Sequence, residues 1–218
     1  EITSISYDAH HWILNQSIKT KNLILATGAN TKLLDENYID IRAVWGQRID
    51  VTTSTKLAVN YHKECSVSRS SLLDNNKYKV SIGATHHRFE ENRDLSDEDT
   101  QELLKKANDI VTLDHLEVVA MHGGARASSS DYFPIVGELI NSEATINEFP
   151  YLKNGTHVHE SRFTRYDNLY IVNGVGGRGF VLAPYLAKEL VDHIVNNTQI
   201  DSKIRSDRLF IRWVKKSQ

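Results

Sequence analysis

The sequence predicts an α/β protein, on three observations. Leu23-Ile24-Leu25 and Leu169-Tyr170-Ile171-Val172 are short continuous apolar runs that read as buried strands. A helical period then follows a glycine-rich turn: Leu182, Leu186, Leu190 and Ile194 recur every four residues beyond Gly174, Gly176, Gly177 and Gly179. Between these stretches lie several strand-like segments and a single well-marked helix start at Ser96.

Taken in order, residues 2–14 suggest a hairpin. Ile2, Ser4, Ser6 and their neighbours alternate up to Tyr7, a turn falls near Asp8-Ala9, and Trp12-Ile13-Leu14 returns. Lys21 to Ala29 is a short buried strand ending in the small-residue turn Ala26-Thr27-Gly28-Ala29. Residues 41–52 form a long strand with Gly46 in its middle, which signals a bulge or the close approach of another group. Residues 65–73 and 77–85 read as a strand pair joined through Asp74-Asn75-Asn76, which has turn chemistry. Ser96 caps a helix, with Asp97, Glu98 and Asp99 in its first turn, expected to run to Val111 with Leu103, Leu104, Ala107 and Val111 inward. A strand is expected from His115 to His122, followed by Gly123-Gly124-Ala125-Arg126 and a polar link over 127–131. Phe133 to Leu139 is a further short strand, and residues 141–166 carry few readable patterns.

The 218 residues carry a net charge of −2, which gives no global reason to expect nucleic acid or a membrane as partner. No apolar run approaches the ~20 residues needed to span a bilayer. Cys65 is alone, so no disulfide framework forms within the chain, and a reducing, cytoplasmic compartment is the expectation. The chain starts without Met inside a strand-like pattern and reads as a piece of a longer protein.

Four glycines within the six residues 174–179 let the backbone turn sharply just before a helix start. Such a start offers free N–H groups and the positive end of the helix dipole, which suits a flat or electron-rich ligand. Gly174, Gly176 and Gly179 also match the dinucleotide pattern G-x-G-x-x-G. That fingerprint requires a second strand after the helix, whereas this helix runs into Asn196-Asn197-Thr198 and a polar, basic tail. A turn used only for packing is the other reading.

Arg126, flanked by small residues, is either a surface charge or strut paired to a carboxylate, or an anchor whose fork matches both oxygens of a carboxylate ligand. Arg178 has the same two readings. The ten histidines include the pairs His86-His87 and His157/His159, but no third ligand stands at a recognisable spacing and no metal site is expected. No Gly-x-Ser-x-Gly elbow supports a hydrolase. In the tail, Arg205, Arg208, Arg212 and Lys215 or Lys216 recur at three and four, opposite Leu209, Phe210, Trp213 and Val214. This is either a docked helix with a solvated basic side or a phosphate-binding stripe.

Several of these pieces together resemble a known family. Leu23 to Ala29 is similar to the Ala-Thr-Gly strand of FAD-dependent amine and amino-acid oxidases of the D-amino-acid oxidase/glycine oxidase type. Gly124-Ala125-Arg126, then Asp131 and Phe133-Pro134-Ile135-Val136-Gly137, resembles that family's Gly-x-Arg…Asp…Pro-x-x-Gly segment. Gly176-Gly177-Arg178-Gly179-Phe180 with Ala183-Pro184 resembles its late glycine motif. Val44-Trp45-Gly46-Gln47, Gly83 to Arg88 and Arg208 to Arg212 narrow the resemblance to the oxidoreductase half of MnmC-type bifunctional tRNA 5-methylaminomethyl-2-thiouridine biosynthesis enzymes. The family's N-terminal FAD fingerprint and the methyltransferase domain are absent from the chain.

The resemblance implies a partial amine-oxidase fold. Residues 1–40 and 160–218 would belong to the FAD-binding domain, and 41–159 would form a substrate-binding domain with a mixed or antiparallel sheet. It implies FAD as cofactor near Gly28, Gly176, Gly177, Arg178, Gly179 and Phe180. Arg126 and Arg178 would bind substrate, and Arg205, Arg208, Arg212 and Lys216 would meet tRNA. The implied reaction removes the carboxymethyl group from 5-carboxymethylaminomethyl-(2-thio)uridine at the wobble position of tRNA, by flavin oxidation at a C–N carbon and hydrolysis of the imine to release glyoxylate. The partners implied are tRNA and the missing segments of the same polypeptide, without which the chain is expected to be inactive. A glycine-oxidase-like enzyme acting on small amines, and a non-catalytic tRNA-docking module, stand as alternatives.

Overall fold

The structure, a computed structural model, describes residues 1–30, 33–73 and 76–216. The chain divides into two units, Glu1–Arg42 with Ala127–Gln218, and Ala43–Arg126. The second unit ends far short of the 159 expected from sequence. Residues 127–159 go with the first unit because their apolar side chains, including Ile135, Leu139, Phe149, Leu152 and Val158, are buried in its core.

The first unit begins with an antiparallel meander of β1 (Ile5–Asp8), β2 (His11–Leu14) and β3 (Ile18–Thr20), one strand more than the expected hairpin. Its main sheet has the order β12–β13–β4, made of β4 (Leu23–Leu25), β12 (Ile135–Ile140) and β13 (Arg165–Asn173). β13 is antiparallel to β12 and parallel to β4. One face carries α3 (Gly179–Asn196), whose Leu186 and Leu190 pack with Val136, Tyr170 and Ile200. Leu182 and Ile194 border the same cluster, so the four-residue period marks the buried stripe. Among the described residues no strand follows α3.

The stretch 141–166, unreadable by period, folds as α2 (Ser142–Glu148) and two 3-10 turns, Pro150–Asn154 and Glu160–Arg162. Asn141 caps α2 through the Ala144 N–H at 2.9 Å.

The C-terminal helix α4 (Asp207–Lys216) buries Leu209, Phe210 and Val214, as its apolar stripe requires. The Phe210 ring meets Tyr38 and Phe163 edge-on, with centroids 5.5 and 5.1 Å away. Arg205 precedes this helix and is not part of its basic stripe.

The second unit is built on an antiparallel sheet around β5 (Ile41–Thr53) and β9 (Tyr78–Gly83). The expected 65–73 partner of β9 is broken into β7 (Ser66–Val67) and β8 (Ser71–Leu72), both paired with β9. β6 (Tyr61–His62), β10 (His87–Arg88) and β11 (Glu117–Ser129) complete the sheet. The turn expected at Asp74-Asn75-Asn76 falls, for Asp74 and Asn75, outside the described residues. β11 runs through Gly123–Arg126 to Ser129, where a strand end and a polar link were expected. Pairing with β5 satisfies its backbone, so the glycines do not end it. α1 (Asp97–Asn108) is capped by Ser96 through the Asp99 N–H at 3.1 Å and ends three residues before Val111. Leu103 and Ala107 bury against Ile49, Val51, Val80 and Ile82.

Inside this sheet Asp50 is 3% exposed and holds Lys79 at 2.8 Å and the Ser81 hydroxyl at 2.7 Å. Burial pushes its carboxyl up, but Lys79, Ser81 and Arg48 pull harder and bring it from 3.8 to about 2. A folded pKa below the unfolded one contributes stability that is present above 3.8 and lost as pH falls through about 2. Acid unfolding followed by circular dichroism should therefore show a component between these values that Asp50→Asn removes. An unchanged acid limb in the variant would refute the assignment.

Arg208 ties α4 to the β11–β12 loop. Its Nε and Nη2 reach the two Asp131 oxygens at 2.7 and 3.0 Å, and Nη2 also donates to the Phe133 carbonyl at 2.9 Å. Loss of charge-assisted bonds costs about 1.5–3 kcal/mol, so Arg208→Gln should lower stability by that amount in urea unfolding. Arg212→Gln, on the exposed side of the same helix, should stay within about 0.5 kcal/mol.

Candidate functional site

In the first unit, the parallel pairing of β4 with β13 sets Leu23, Ile24 and Leu25 beside Leu169, Tyr170 and Ile171. Both strands therefore finish at one edge of the sheet, the place where ligands of parallel sheets bind. The two turns that follow are tied together. The buried Asn173 side chain donates to the Gly28 carbonyl at 2.8 Å, and its oxygen accepts the Gly174 N–H at 2.8 Å. Gly28, Gly174 and Gly176 have φ of 66°, 73° and 57°, a region that side chains rarely enter. A Cβ on Gly28 would meet nothing within 4 Å, so its turn borders open space.

A 3-10 turn at Gly176–Arg178 leads into α3, and neither start has a side-chain cap. The first turn of α3, beginning at Gly179, thus presents the positive end of the helix without a side-chain cap. Phe180 is fully exposed and Arg178 donates to the Tyr132 carbonyl. The structure brings Gly28 to the cluster of Gly176, Gly177, Arg178, Gly179 and Phe180. This edge fits the electron-rich rim of a flat ring such as a flavin, because it supplies donors and a backbone without side chains in the way.

In the second unit, Arg126 stands on β11 and its guanidinium lies over Gly46 of β5. A Cβ on Gly46 would come within 2.5 and 2.7 Å of the Arg126 nitrogens and 2.7 Å of the Thr85 carbonyl. The close approach announced by that glycine is therefore an arginine. Arg126 Nη1 donates to the Thr85 carbonyl at 3.4 Å. Thr85 is held in turn by Gln47, whose N–H donates to Thr85 Oγ1 at 2.9 Å and whose carbonyl accepts the Thr85 N–H at 3.1 Å. Among the described residues no carboxylate lies within ion-pairing distance of Arg126. Burial pushes its pKa down, and burial together with Arg126 pushes the neighbouring His86 down. A half-buried guanidinium without a counter-ion attracts an anion, and its planar fork suits a carboxylate.

The tail cations meet different fates. Arg205 pairs with Glu160 and lies 3.3 Å from Asp207. Arg208 is held by Asp131. These two, expected in a phosphate-facing stripe, are instead struts within the unit. Arg212, Lys215 and Lys216 are exposed on α4. His159 hydrogen-bonds Ser161 at 2.8 Å and His87 meets the buried Asp99 at 3.0 Å. Among the described residues no group of three His, Cys, Asp or Glu side chains converges.

Sequence reasoning missed Asn173 and Gln47, each a lone amide with no periodic signal. It also missed Tyr132, which fell between the expected link and strand, and Phe133, read as a strand start; they are 61% and 49% exposed.

The family described as FAD dependent oxidoreductase (DAO) matches residues 1–193. The tRNA 5-methylaminomethyl-2-thiouridine biosynthesis bifunctional protein MnmC of Legionella pneumophila strain Philadelphia 1 is 31% identical over 208 residues, covering 89% of this chain and 29% of that protein. The chain thus spans less than a third of the curated relatives it matches. Among solved structures, glycine oxidase from Bacillus cereus superposes with a TM-score of 0.67 at 20% identity, over 91% of this chain and 50% of its own. L-proline dehydrogenase from P. horikoshii gives 0.66 at 16% identity, over 95% and 53%. These likenesses establish the fold.

The Arg126 geometry makes Gly46 a sensitive position. Gly46→Ala forces a methyl group against the guanidinium and the Thr85 carbonyl, and overpacking of this kind costs about 1–3 kcal/mol. Gly124→Ala, where a Cβ meets nothing within 4 Å, should remain within about 0.5 kcal/mol. Equal midpoints for the two variants in urea unfolding would contradict this packing.

Proposed function

We propose, for a chain that belongs to the family of FAD-dependent oxidoreductases, that it supplies part of an enzyme removing the carboxymethyl group from 5-carboxymethylaminomethyl-(2-thio)uridine at the wobble position of tRNA. The observation that carries the reading is Arg126, a half-buried guanidinium without a carboxylate partner among the described residues, which suits a substrate bearing a carboxylate. The name of the Legionella relative supports tRNA as the carrier of that group.

In this proposal the first unit serves the cofactor and the second the substrate. The residues that would hold FAD are Gly28, Gly176, Gly177, Gly179 and Phe180, through backbone N–H groups and close approach, with Arg178 at their side. When bound, FAD accepts two electrons from the substrate's amine carbon–nitrogen bond. Arg126 fixes the carboxylate in a bidentate grip, with its own carbonyl partner at Thr85 limiting its rotation. Water then adds to the substrate imine, so that the carboxymethyl carbons leave as glyoxylate and the aminomethyl nitrogen stays on the base.

Arg126→Lys keeps the charge but loses the fork. Losing one charge-assisted bond costs about 1.5–3 kcal/mol, or roughly 10- to 150-fold. In the FAD-loaded protein, kcat/KM for glyoxylate release from carboxymethylaminomethyl tRNA should fall by that factor while flavin absorbance is retained. Unchanged kinetics would reject the anchor. Turnover of free glycine or sarcosine, with none of the tRNA, would replace this reading by that of a small-molecule amine oxidase.

A further inference from the structure

The loop between β11 and β12 is tied down from within, yet it turns two aromatic rings to solvent. Tyr132 is 61% exposed and Phe133 49%. Tyr132 has φ of 65°, in the left-handed region that a bulky residue enters only when its surroundings hold it there. Polar contacts hold the loop. Asp131 accepts the Phe133 N–H at 3.2 Å and the Arg208 fork. The Phe133 carbonyl accepts from Ser129 Oγ at 2.6 Å and Arg208 Nη2 at 2.9 Å. The Tyr132 N–H donates to Ser129 at 3.1 Å, and its carbonyl accepts from Arg178. The backbone polar groups of Tyr132 and Phe133 are thus paired within the protein, while their side chains are left exposed.

Cations border this surface, and the nearby acid Asp40, whose carbonyl accepts the Ser130 N–H at 3.1 Å, is paired with Arg42 at 3.3 Å. Arg178 sits at the Tyr132 carbonyl, and Arg212 follows Arg208 by one turn on the exposed face of α4. The acid within the loop, Asp131, is already neutralised by Arg208. Rigid exposed rings bordered by cations are the surface on which unpaired bases stack while their phosphates meet the arginines. A duplex, whose bases are stacked on each other, offers no faces to such rings.

We propose that Tyr132 and Phe133 form a stacking platform for unpaired bases of single-stranded RNA, with Arg178 and Arg212 contacting the adjoining phosphates. The proposal rests on the tRNA reading above, since a wobble nucleotide lies in a single-stranded loop.

The test uses the FAD-loaded protein and two synthetic probes, an anticodon stem–loop RNA and the same stem closed into a continuous duplex. Affinities are measured by fluorescence anisotropy over a range of salt. Tyr132→Ala and Phe133→Ala should each weaken stem–loop binding about 5- to 150-fold. They should leave duplex binding and the salt slope unchanged. Tyr132→Phe and Phe133→Tyr, which keep a ring, should restore affinity. Arg212→Gln should instead flatten the slope of log affinity against log salt by about 0.7. Wild-type affinity in both alanine variants would overturn the platform and leave the tRNA reading standing. Absence of stem–loop binding by the wild-type protein would overturn both. Alanine variants that lose flavin or melting temperature, and bind both probes equally less well, would show that the rings pack against protein, and would also overturn the platform.

Discussion

The pairing of β4 with β13 is the constraint on which the first unit depends. Two apolar runs distant in the chain, Leu23–Leu25 and Leu169–Ile171, meet in parallel, and Asn173 locks their ends by bonding to Gly28, 145 positions away. Without that pairing the Ala26–Ala29 turn and the glycine cluster would be unrelated loops. With it, two positive-φ turns and an uncapped helix start share one sheet edge. β12 flanks β13 on its other side, and α3 covers one face through Leu186 and Leu190, so the edge that faces a ligand is held by the core. Closing so long a loop costs entropy that only burial on this scale repays.

Three arginines show how surroundings decide what a guanidinium does. Arg205 and Arg208 each find carboxylates, Glu160 and Asp131 respectively, and become part of the scaffold. Among the described residues Arg126 meets no carboxylate; it donates to a backbone carbonyl at 3.4 Å and lies over the bare backbone of Gly46. Burial without a counter-charge destabilises its ionised form and leaves it to attract an anion from outside. The same principle governs the acids: Asp50 is buried but surrounded by cations, and so it stays ionised far into acid.

The polar residues around these sites act as positioning devices. Gln47, fully buried on β5, holds Thr85 on one side and on the other donates to the Ser96 carbonyl at 2.8 Å, while its oxygen accepts the Ser96 N–H at 2.8 Å. One residue thereby sets both the start of α1, through its side-chain amide, and the carbonyl that Arg126 touches, through its main chain. Such a residue is invisible to any period count, since its role depends on where β5, α1 and residue 85 meet.

What the sequence by itself determined was local. Continuous apolar runs marked β4 and β13, a four-residue period marked α3, the Ser96 cap marked α1, and Gly46 marked a close approach. The resemblance of ordered motifs pointed to the FAD-dependent oxidoreductase family. These signals are legible because period, caps and glycines act within a few residues of backbone. The tertiary structure decided the rest. It carried β11 through two glycines because β5 satisfied its backbone, and moved residues 127–159 to the first unit because their apolar side chains found its core. It turned Arg205 and Arg208 into struts while leaving Arg126, among the described residues, without a carboxylate partner. Whether a charge is paired, or a ring is covered, depends on partners tens of residues away, and spacing along the chain does not encode that.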